Sequence, residues 1–332
     1  MKAILSTAPG GPETLTIGDI EAPQPGPGEV RIRVQACGVN YPDTLIIEDK
    51  YQFRPERPFA PGGEVSGEID ALGEGVDALK LGDRVMALVS WGGMAEQVVT
   101  AAAQCVVMPA DMPFDEAAAL IFTYGTSYHA LKQRAAIAAG ETLLVLGAAG
   151  GVGLSAVELG RAMGARVVAA ASSESKVQLA KERGAQVGLI YPRGPFDKAG
   201  TKALSTQFKE AVGADGADVI YDAVGGDYAE ASLRAVAWKG RFLVVGFPAG
   251  IPSIPLNLAL LKGCQIVGVF WGAFTKREQA ENAQNNKELL EFYKQGKIRP
   301  HVSQRFSLSD AGQAISELAE RRAMGKVVVT ID

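Results

Sequence analysis

Two patterns of apolar and polar positions divide the chain. In the first, between residue 1 and about residue 110, Val30, Ile32 and Val34 alternate with polar side chains at 31, 33 and 35. A period of two is typical of a strand with one buried and one solvent-exposed face. Further short strands are predicted at 64–71, 84–89 and 95–99, divided by turns rich in Gly and Asp. This part of the chain is therefore predicted to be a small, mostly β unit.

The second pattern starts near residue 115, where DEAAALIFTYGTSYHALKQRAAI predicts a helix, and continues as apolar strands that alternate with helices. Strands are predicted at 142–147, 165–172, 187–191, 217–226, 241–247 and 265–272, and helices at 151–164, 174–184, 201–213 and 227–238. Continuously apolar strands between helices are typical of a parallel sheet covered on both faces. After residue 272 we expect a long polar helix, a shorter helix and a last strand, KVVVTI.

Length and charge narrow the class of protein. The chain has 332 residues, which favours two domains, and a formal net charge of −4. This balance gives no electrostatic reason to bind nucleic acid or an anionic membrane. Pro9 and Gly10 come before any long apolar run forms, so we expect no signal peptide at the N-terminus. The uncharged stretch 142–157 is broken by glycines and shorter than the roughly 20 apolar residues of a membrane span. We expect a cytoplasmic protein.

Glycine is unusually frequent, with 39 residues, and one cluster of glycines carries a motif. In GAAGGVG, residues 147–153, the spacing of Ala148, Gly150 and Gly153 matches G-x-G-x-x-G with alanine in the first place. The motif follows a predicted strand and opens a predicted helix, which is the context that a dinucleotide fold requires. Gly150 lets the backbone approach a pyrophosphate, Gly153 lets the helix pack on the strand, and the helix N-terminus attracts phosphate. The alternative is a glycine-rich turn without a ligand. The predicted cofactor contacts in this loop are Ala148, Gly150, Gly151, Val152 and Gly153.

The end of the second predicted strand distinguishes between cofactors. NAD-binding folds usually place Asp or Glu about 20 residues after the glycines, where it binds the ribose 2′-hydroxyl. Here Ser172 stands at that distance and Lys176 follows. A hydroxyl and an ammonium suit the 2′-phosphate of NADPH, which a carboxylate would repel. In the alternative interpretations Ser172 is an N-cap and Lys176 a solvated surface lysine.

Seven motifs along the chain form a combination. They are PGPGEVRIRVQACGVNYPD, PGGEVSGEIDALGEGV, LGDRV, TYGTSYHAL, GAAGGVG, VIYDAVGG and MGKVVV. Together they resemble one superfamily, the medium-chain dehydrogenases/reductases, and within it the zinc-free NADPH:quinone oxidoreductases of the zeta-crystallin type. The resemblance implies an α/β chain in which residues 1–120 and 275–332 form a GroES-like, β-rich catalytic domain. Residues 121–274 would form a Rossmann domain with a doubly wound parallel sheet that binds NADPH.

The resemblance also implies that this chain has lost the superfamily's catalytic zinc. Asn40 stands where a zinc-dependent relative has a ligand cysteine, and Gly63 stands where it has a ligand histidine. Residues 110–128 contain no Cys or His for a third ligand. Catalytic zinc needs about three protein ligands, so we expect no metal.

By the same resemblance, Asn40 and Tyr51 are the catalytic candidates, facing the nicotinamide and the substrate. In the alternative interpretation Asn40 caps a turn and Tyr51 lines an apolar wall. The further cofactor contacts that the resemblance implies are Thr126, Tyr191, Val224, Gly225, Phe247, Phe270 and one of Arg321 and Arg322.

The function that follows is hydride transfer from NADPH to a quinone or an α,β-unsaturated carbonyl, a small electrophile that needs no Lewis acid. The alternatives are reduction of an enoyl thioester of the acyl-CoA type, and an NADPH-binding structural or regulatory protein with little turnover. We also expect a homodimer that pairs through the edge strand 265–272, because an unpaired apolar edge strand is a liability in a monomer.

Overall fold

The computed structural model describes residues 1–331 and divides the chain into two units. The first comprises Met1–Phe122 and the chain from Arg299 onwards, and the second comprises Thr123–Ile298. The C-terminal return to the first unit therefore comes at Arg299, later than the expected residue 275. The reason lies in the long polar helix, Gln279–Lys294, which stays with the second unit because its Asn285 accepts hydrogen bonds from Lys132 and Gln133.

The helices and strands follow in chain order. The N-terminal part holds β1 (Lys2–Leu5), β2 (Thr16–Asp19), β3 (Glu29–Val39), α1 (Tyr41–Ile46), β4 (Glu64–Leu72), β5 (Arg84–Leu88), β6 (Gln97–Ala101), β7 (Cys105–Val107) and α2 (Phe114–Ala117). The middle holds α3 (Ile121–His129), β8 (Thr142–Leu146), α4 (Gly151–Ala162), β9 (Arg166–Ala171), α5 (Glu174–Glu182), β10 (Val187–Ile190), α6 (Lys198–Val212), β11 (Ala217–Asp222), α7 (Asp227–Leu233), β12 (Val236–Val244), α8 (Asn257–Lys262), β13 (Gln265–Gly268), α9 (Trp271–Arg277) and α10 (Gln279–Lys294). The C-terminal part holds β14 (Val302–Ser307), α11 (Ala311–Ala319) and β15 (Lys326–Thr330).

The first unit is built on a seven-stranded sheet whose main path runs β14-β15-β3-β4-β5-β7, with β6 also paired to β3. The long strand β3 lies inside this sheet, and the side chains of Val30, Ile32 and Val34 are at most 1% exposed, which confirms the period-two pattern. The last strand, β15, pairs antiparallel with β3, so that Val328 lies opposite Gly38. The two ends of the chain therefore share one sheet and one core.

The second unit contains a six-stranded sheet in the order β10-β9-β8-β11-β12-β13, and every neighbouring pair is parallel. Its central strands are apolar and fully buried, as at Leu144, Val168 and Ile220. The strand order reverses direction between β8 and β11, which confirms the doubly wound arrangement. Open sheets of this kind bind ligands at the carboxyl ends of the strands, beside that reversal.

Several predicted elements differ from the structure, among them the strand predicted at 217–226, which ends at Asp222. The predicted helix 227–238 ends at Leu233, because Val236 already pairs with Ala217 as the start of β12. The predicted strand 265–272 ends at Gly268, opposite the last residue of β12, Val244, and helix α9 begins at Trp271. The single helix predicted from residue 115 is divided into α2, α3 and a π-helical segment at Ala130–Arg134. Among residues 1–331, no helix combines the length and the apolar character that crossing a bilayer needs.

The packing of α4 against β8 generates a prediction for Gly153. A Cβ at Gly153 would lie 2.1 Å from the carbonyl oxygen of Gly147, whereas a Cβ at Gly150 would meet the same oxygen at an ordinary 3.5 Å. We expect Gly153→Ala to lower the free energy of unfolding by about 1–3 kcal/mol, since backbone must move to accept the methyl group. Gly150→Ala is the matched control and should change it by less than about 1 kcal/mol. Urea denaturation of both variants measures this, and equal stabilities would contradict the packing role of Gly153.

Candidate functional site

The glycine-rich loop joins β8 to the N-terminus of α4, which is partly exposed and carries the positive end of the helix dipole. Gly147 has the left-handed φ of +69° that begins the turn, and Gly150 is the N-cap of α4. Ala148 is buried and its N–H donates to Ala170, which ties the loop to β9. The N–H groups of residues 151–153 lie in the first turn of α4, where no intrahelical acceptor exists. This end of the helix is therefore able to bind a phosphate group.

A buried cluster of hydroxyl groups holds the first turn of α4 in place. The Ser127 hydroxyl, on α3, lies 2.8 Å from the Val152 carbonyl oxygen, 2.9 Å from Ser155 Oγ and 2.8 Å from Tyr221 Oη. Ser127, Ser155 and Tyr221 are at most 1% exposed. Thr126, a predicted cofactor contact, precedes Ser127 on α3 and is partly exposed. Sequence reasoning missed this cluster, because isolated Ser and Tyr residues in apolar segments carry no motif.

The predicted 2′-phosphate residues come together at the ends of β9 and β10. The N–H of Tyr191 donates to the carbonyl oxygen of Ala171 at 2.9 Å, which places Tyr191 beside Ser172. The N-cap of α5 is Ser173, whose side chain accepts from the N–H of Lys176. The N-cap interpretation of Ser172 is therefore wrong. Burial, followed by the positive charge of Arg193, lowers the pKa of Lys176. Arg193 thus belongs to this group, and sequence reasoning did not select it.

The other predicted contacts in the second unit also follow the carboxyl ends of parallel strands. Val224 and Gly225 come after β11, Phe247 after β12 and Phe270 after β13. Phe247 is 43% and Phe270 57% exposed, so both rings are available to a ligand. Gly225 has a φ of +71°, a conformation that favours glycine.

The turn after β11 is held by a buried carboxylate, Asp222. Its Oδ1 accepts the N–H groups of Val224 and Gly225, each at 2.9 Å. Burial raises the pKa of Asp222 to about 6, although the two N–H groups act in the opposite direction. The sequence analysis overlooked this residue, although the D-A-V-G-G segment after an apolar strand is the signal that marks such a turn.

In the first unit, Asn40 is part of a buried polar cluster with Glu64 and Lys326. The Lys326 ammonium donates to Asn40 Oδ1 at 2.7 Å, to Glu64 Oε2 at 3.0 Å and to the Val39 carbonyl oxygen at 3.2 Å. The Asn40 amide donates to Glu64 Oε2 at 3.0 Å and to the Gly38 carbonyl oxygen at 3.2 Å. Both amide hydrogens are thus used within the protein, which favours the structural interpretation of Asn40.

Asp43 completes this cluster and fixes the loop before β4. Its two carboxylate oxygens accept the N–H of Asn40 at 2.7 Å and the N–H of Gly62 at 3.1 Å. Burial raises the pKa of Asp43 to about 6, although these hydrogen bonds and the charge of Lys326 lower it. Asp43 therefore positions the backbone at Asn40, which is the N-cap of α1.

Tyr51 is half-buried and presents a different chemistry. Its ring packs edge-on against Phe53, with centroids 5.9 Å apart, and also contacts the core of the first unit. Burial, and then the charge of Asp43, raises the pKa of the Tyr51 hydroxyl above its usual value, so the group is protonated at neutral pH. Within residues 1–331, no protein group forms a hydrogen bond with this hydroxyl, which leaves it able to donate to a ligand.

The two C-terminal arginine candidates differ in their surroundings. The Arg322 guanidinium donates to Glu317 at 2.7 and 3.0 Å and pairs with Glu320. Arg321 has a left-handed φ of +59° at the end of α11. The carboxylates on Arg322 make it the weaker candidate for a phosphate.

Comparisons with known proteins agree with both halves of this description. Residues 26–110 match the alcohol dehydrogenase GroES-like domain, and residues 151–288 match the zinc-binding dehydrogenase family. Quinone oxidoreductase-like protein 2 of Rattus norvegicus is 38% identical over 96% of this chain and 89% of its own length. Quinone oxidoreductase of Pseudomonas aeruginosa is 34% identical over 99% of both. A mycobacterial structure complexed with NADPH superposes with a TM-score of 0.91 at 31% identity over 99% of both chains.

The chain belongs to the quinone oxidoreductase family. Its two-part fold, with a GroES-like domain and a Rossmann-type parallel sheet, is that of the medium-chain dehydrogenases/reductases. The resemblance derived from the motifs is thereby confirmed, and so is the α/β fold class that it implied.

The residues of this quinone oxidoreductase family member do not fit the zinc ion that its matched dehydrogenase family implies. Of the side chains in this cluster, Cys37, Asp43 and Glu64 are chemically able to bind a metal. Both oxygens of Asp43 already accept backbone N–H groups. Both oxygens of Glu64 already accept hydrogen bonds, Oε1 from the Phe122 N–H and Oε2 from Asn40 and Lys326. An ammonium group bonded to the same carboxylate opposes a second cation electrostatically. Burial and the charges of Asp43 and Glu64 raise the pKa of Cys37 well above its usual range, which keeps it a thiol rather than a ligand thiolate.

The raised pKa values of Asp222 and Asp43 generate a paired prediction. Because each folded-state pKa is about 6 and the usual value is 3.8, the folded protein binds more protons between these two pH values. Stability therefore falls as pH rises through this window. Asp222→Asn removes the buried charge and keeps Oδ1 as acceptor, so we expect it to stabilise the protein at pH 7 by about 2 kcal/mol.

Asp43→Asn is the contrasting variant. Asp43 uses both oxygens, so asparagine leaves one buried N–H without an acceptor, at a cost of about 1–3 kcal/mol that offsets the gain. Urea denaturation between pH 4 and pH 8 measures both effects. If the free energy of unfolding of Asp222→Asn depends on pH in the same way as that of the unmodified protein, the buried charge of Asp222 is not the source of this pH dependence.

Proposed function

We propose that this chain is an NADPH-dependent, zinc-independent oxidoreductase that reduces a quinone or an α,β-unsaturated carbonyl. The observation that carries the proposal is the Asn40–Glu64–Lys326 cluster, which occupies with protein groups the place where a zinc-dependent relative activates its substrate. A reaction without a Lewis acid requires an acceptor that spreads its own negative charge. Quinones and conjugated carbonyls meet this requirement, and the names of the relatives favour the quinone.

The choice of NADPH is supported by the chain and by a relative. The mycobacterial neighbour is a complex with NADPH. In this chain Ser172 directly follows β9, where an NAD-binding fold usually has an acid, and Lys176 lies on α5. The first turn of α4 would hold the pyrophosphate, while Thr126, Tyr191, Val224, Gly225, Phe247 and Phe270 would line the remaining cofactor path. NADPH supplies the hydride when it is bound. The protein binds and orients the reactants and excludes water.

Tyr51 is the residue that we propose acts on the substrate oxygen. Its protonated hydroxyl would donate a hydrogen bond to the oxygen on which negative charge develops, and would supply or relay the proton. Asn40 would not contact the substrate itself, since its amide hydrogens are already donated to Gly38 and Glu64. We assign Asn40 to positioning α1 and the loop that leads to Tyr51. The expected cytoplasmic location stays a prediction.

We further propose that two copies of the chain pair through β13. This strand lies at the edge of the six-stranded sheet, and Ile266 on it is 37% exposed. The preceding helix α8 exposes Leu260 and Leu261 by 79% and 67%. An open strand edge beside exposed leucines is a surface that a second copy would cover.

Activity assays test the function. Purified protein should oxidise NADPH with 1,4-benzoquinone, 9,10-phenanthrenequinone or 2-alkenals, and Tyr51→Phe should lower kcat about 10- to 100-fold while the Kd for NADPH stays unchanged, because only the hydroxyl is lost. Tyr41→Phe is the matched control and should keep full activity. Turnover of enoyl thioesters alone would favour the acyl-CoA alternative. NADPH binding without turnover of any acceptor would favour a structural or regulatory protein.

Light scattering tests the dimer. Ile266→Lys places a charge on the edge strand and should convert the dimer to a monomer, because a like charge is then buried on both sides of the pairing. Ile17→Lys replaces an equally large exposed side chain in the first unit and should leave the mass unchanged. A monomeric unmodified protein would refute the pairing.

A further inference from the structure

The segment that follows β10, residues 191–196, is fixed by one tyrosine. The Tyr228 hydroxyl, on α7, accepts the N–H of Gly194 at 3.0 Å and donates to the carbonyl oxygen of Pro192 at 3.1 Å. The Tyr228 ring also packs against Tyr191 and Phe196, with centroids 4.9 and 5.2 Å away. This segment is therefore a built turn, with its backbone held on both sides of Arg193.

Two further hydrogen bonds hold the two ends of this turn. At its far end the Asp227 carboxylate accepts the N–H of Phe196 at 3.1 Å, and at its start the N–H of Tyr191 donates to the carbonyl oxygen of Ala171. The parallel register pairs Ile190 with Ala171, so that Tyr191 and Ser172 both leave the sheet at the same edge. Arg193 therefore lies in a turn at the carboxyl end of β10, and Ser172 follows the carboxyl end of the neighbouring strand β9.

Arg193 is exposed and bears no carboxylate partner. Among residues 1–331 no Asp or Glu oxygen lies within 4.0 Å of its guanidinium. Burial is the main cause that lowers the pKa of Lys176, and the positive charge of Arg193 acts in the same direction. Two cations that repel each other at one strand end are stabilised when an anion binds between them. A planar guanidinium suits phosphate in particular, since it donates two parallel hydrogen bonds.

We propose that Arg193, held by Tyr228, is a second cation for the 2′-phosphate of NADPH and a determinant of the preference for NADPH over NADH. This assignment rests on the proposed function. It places the phosphate among Ser172, Lys176 and Arg193, all in the second unit. Arg322, by contrast, is already paired with Glu317 and Glu320.

Direct binding tests the assignment without requiring turnover. Nicotinamide fluorescence gives the Kd of NADPH and NADH, and competition with 2′,5′-ADP and 5′-AMP isolates the 2′-phosphate. Arg193→Ala should weaken NADPH and 2′,5′-ADP about tenfold, the effect of one charge-assisted hydrogen bond, and leave NADH and 5′-AMP within about twofold. Lys176→Ala should act in the same way, and Arg193→Lys should restore part of the affinity.

Two further variants test whether the effect of Arg193 depends on its position rather than on the net charge of the protein. Lys202→Ala removes an exposed cation from α6 and should leave every Kd unchanged, which controls for net charge. Tyr228→Phe keeps the ring contacts but loses both hydroxyl bonds, and should weaken NADPH more than NADH. Equal weakening of NADPH and NADH by Tyr228→Phe would show that the hydroxyl does not position Arg193.

The outcomes for the unmodified protein and for Arg193→Ala are distinct. If the unmodified protein binds NADH as tightly as NADPH, the proposed cofactor itself is refuted. If it prefers NADPH and Arg193→Ala keeps that preference, the assignment of Arg193 is overturned while the proposed function stands.

Discussion

The buried ammonium of Lys326 is the constraint around which the first unit is arranged. A cation that is 4% exposed is tolerated only when acceptors surround it. Its three acceptors come from the end of β3 and from β4, and Glu64 lies 262 residues earlier in the chain. Satisfying this one charge therefore requires the last strand to join the first ones, and this closes the sheet that holds α1 and Asn40.

The same charge determines what chemistry is open to the site. Because Lys326 and Asn40 donate hydrogen bonds to the Glu64 carboxylate, that carboxylate is not available to bind a metal. In the function that we propose, the Tyr51 hydroxyl acts on the substrate instead. A site without a metal Lewis acid favours a hydride acceptor that delocalises the negative charge it gains. The buried cation thus links the architecture of the first unit to the substrate class that we propose.

Much of the site was predictable because local motifs report local geometry. The glycine spacing at 147–153 and the serine at 172, where an NAD-binding fold usually has an acid, depend on residues close together in the chain, and the structure places both at strand ends. Sequence reasoning did not select Arg193, Ser127 or Lys326. The contacts that single out each of them involve residues far away in the sequence, which meet only in the folded chain. Asn40 shows the opposite case, because the motif selected it but its amide donates to Glu64 and Gly38 within the protein.

The sequence by itself determined the two-part fold, the alternating strands and helices, the phosphate loop and the absence of the expected zinc ligands at positions 40 and 63. These follow from periodicity, glycine and residue type, which act over a few neighbouring residues. Only the tertiary structure decided that the C-terminal return comes at Arg299, that Ser173 rather than Ser172 caps α5, and that Lys326 neutralises Glu64. Those outcomes depend on burial and on long-range hydrogen bonds, whose energies exist only once distant segments have met.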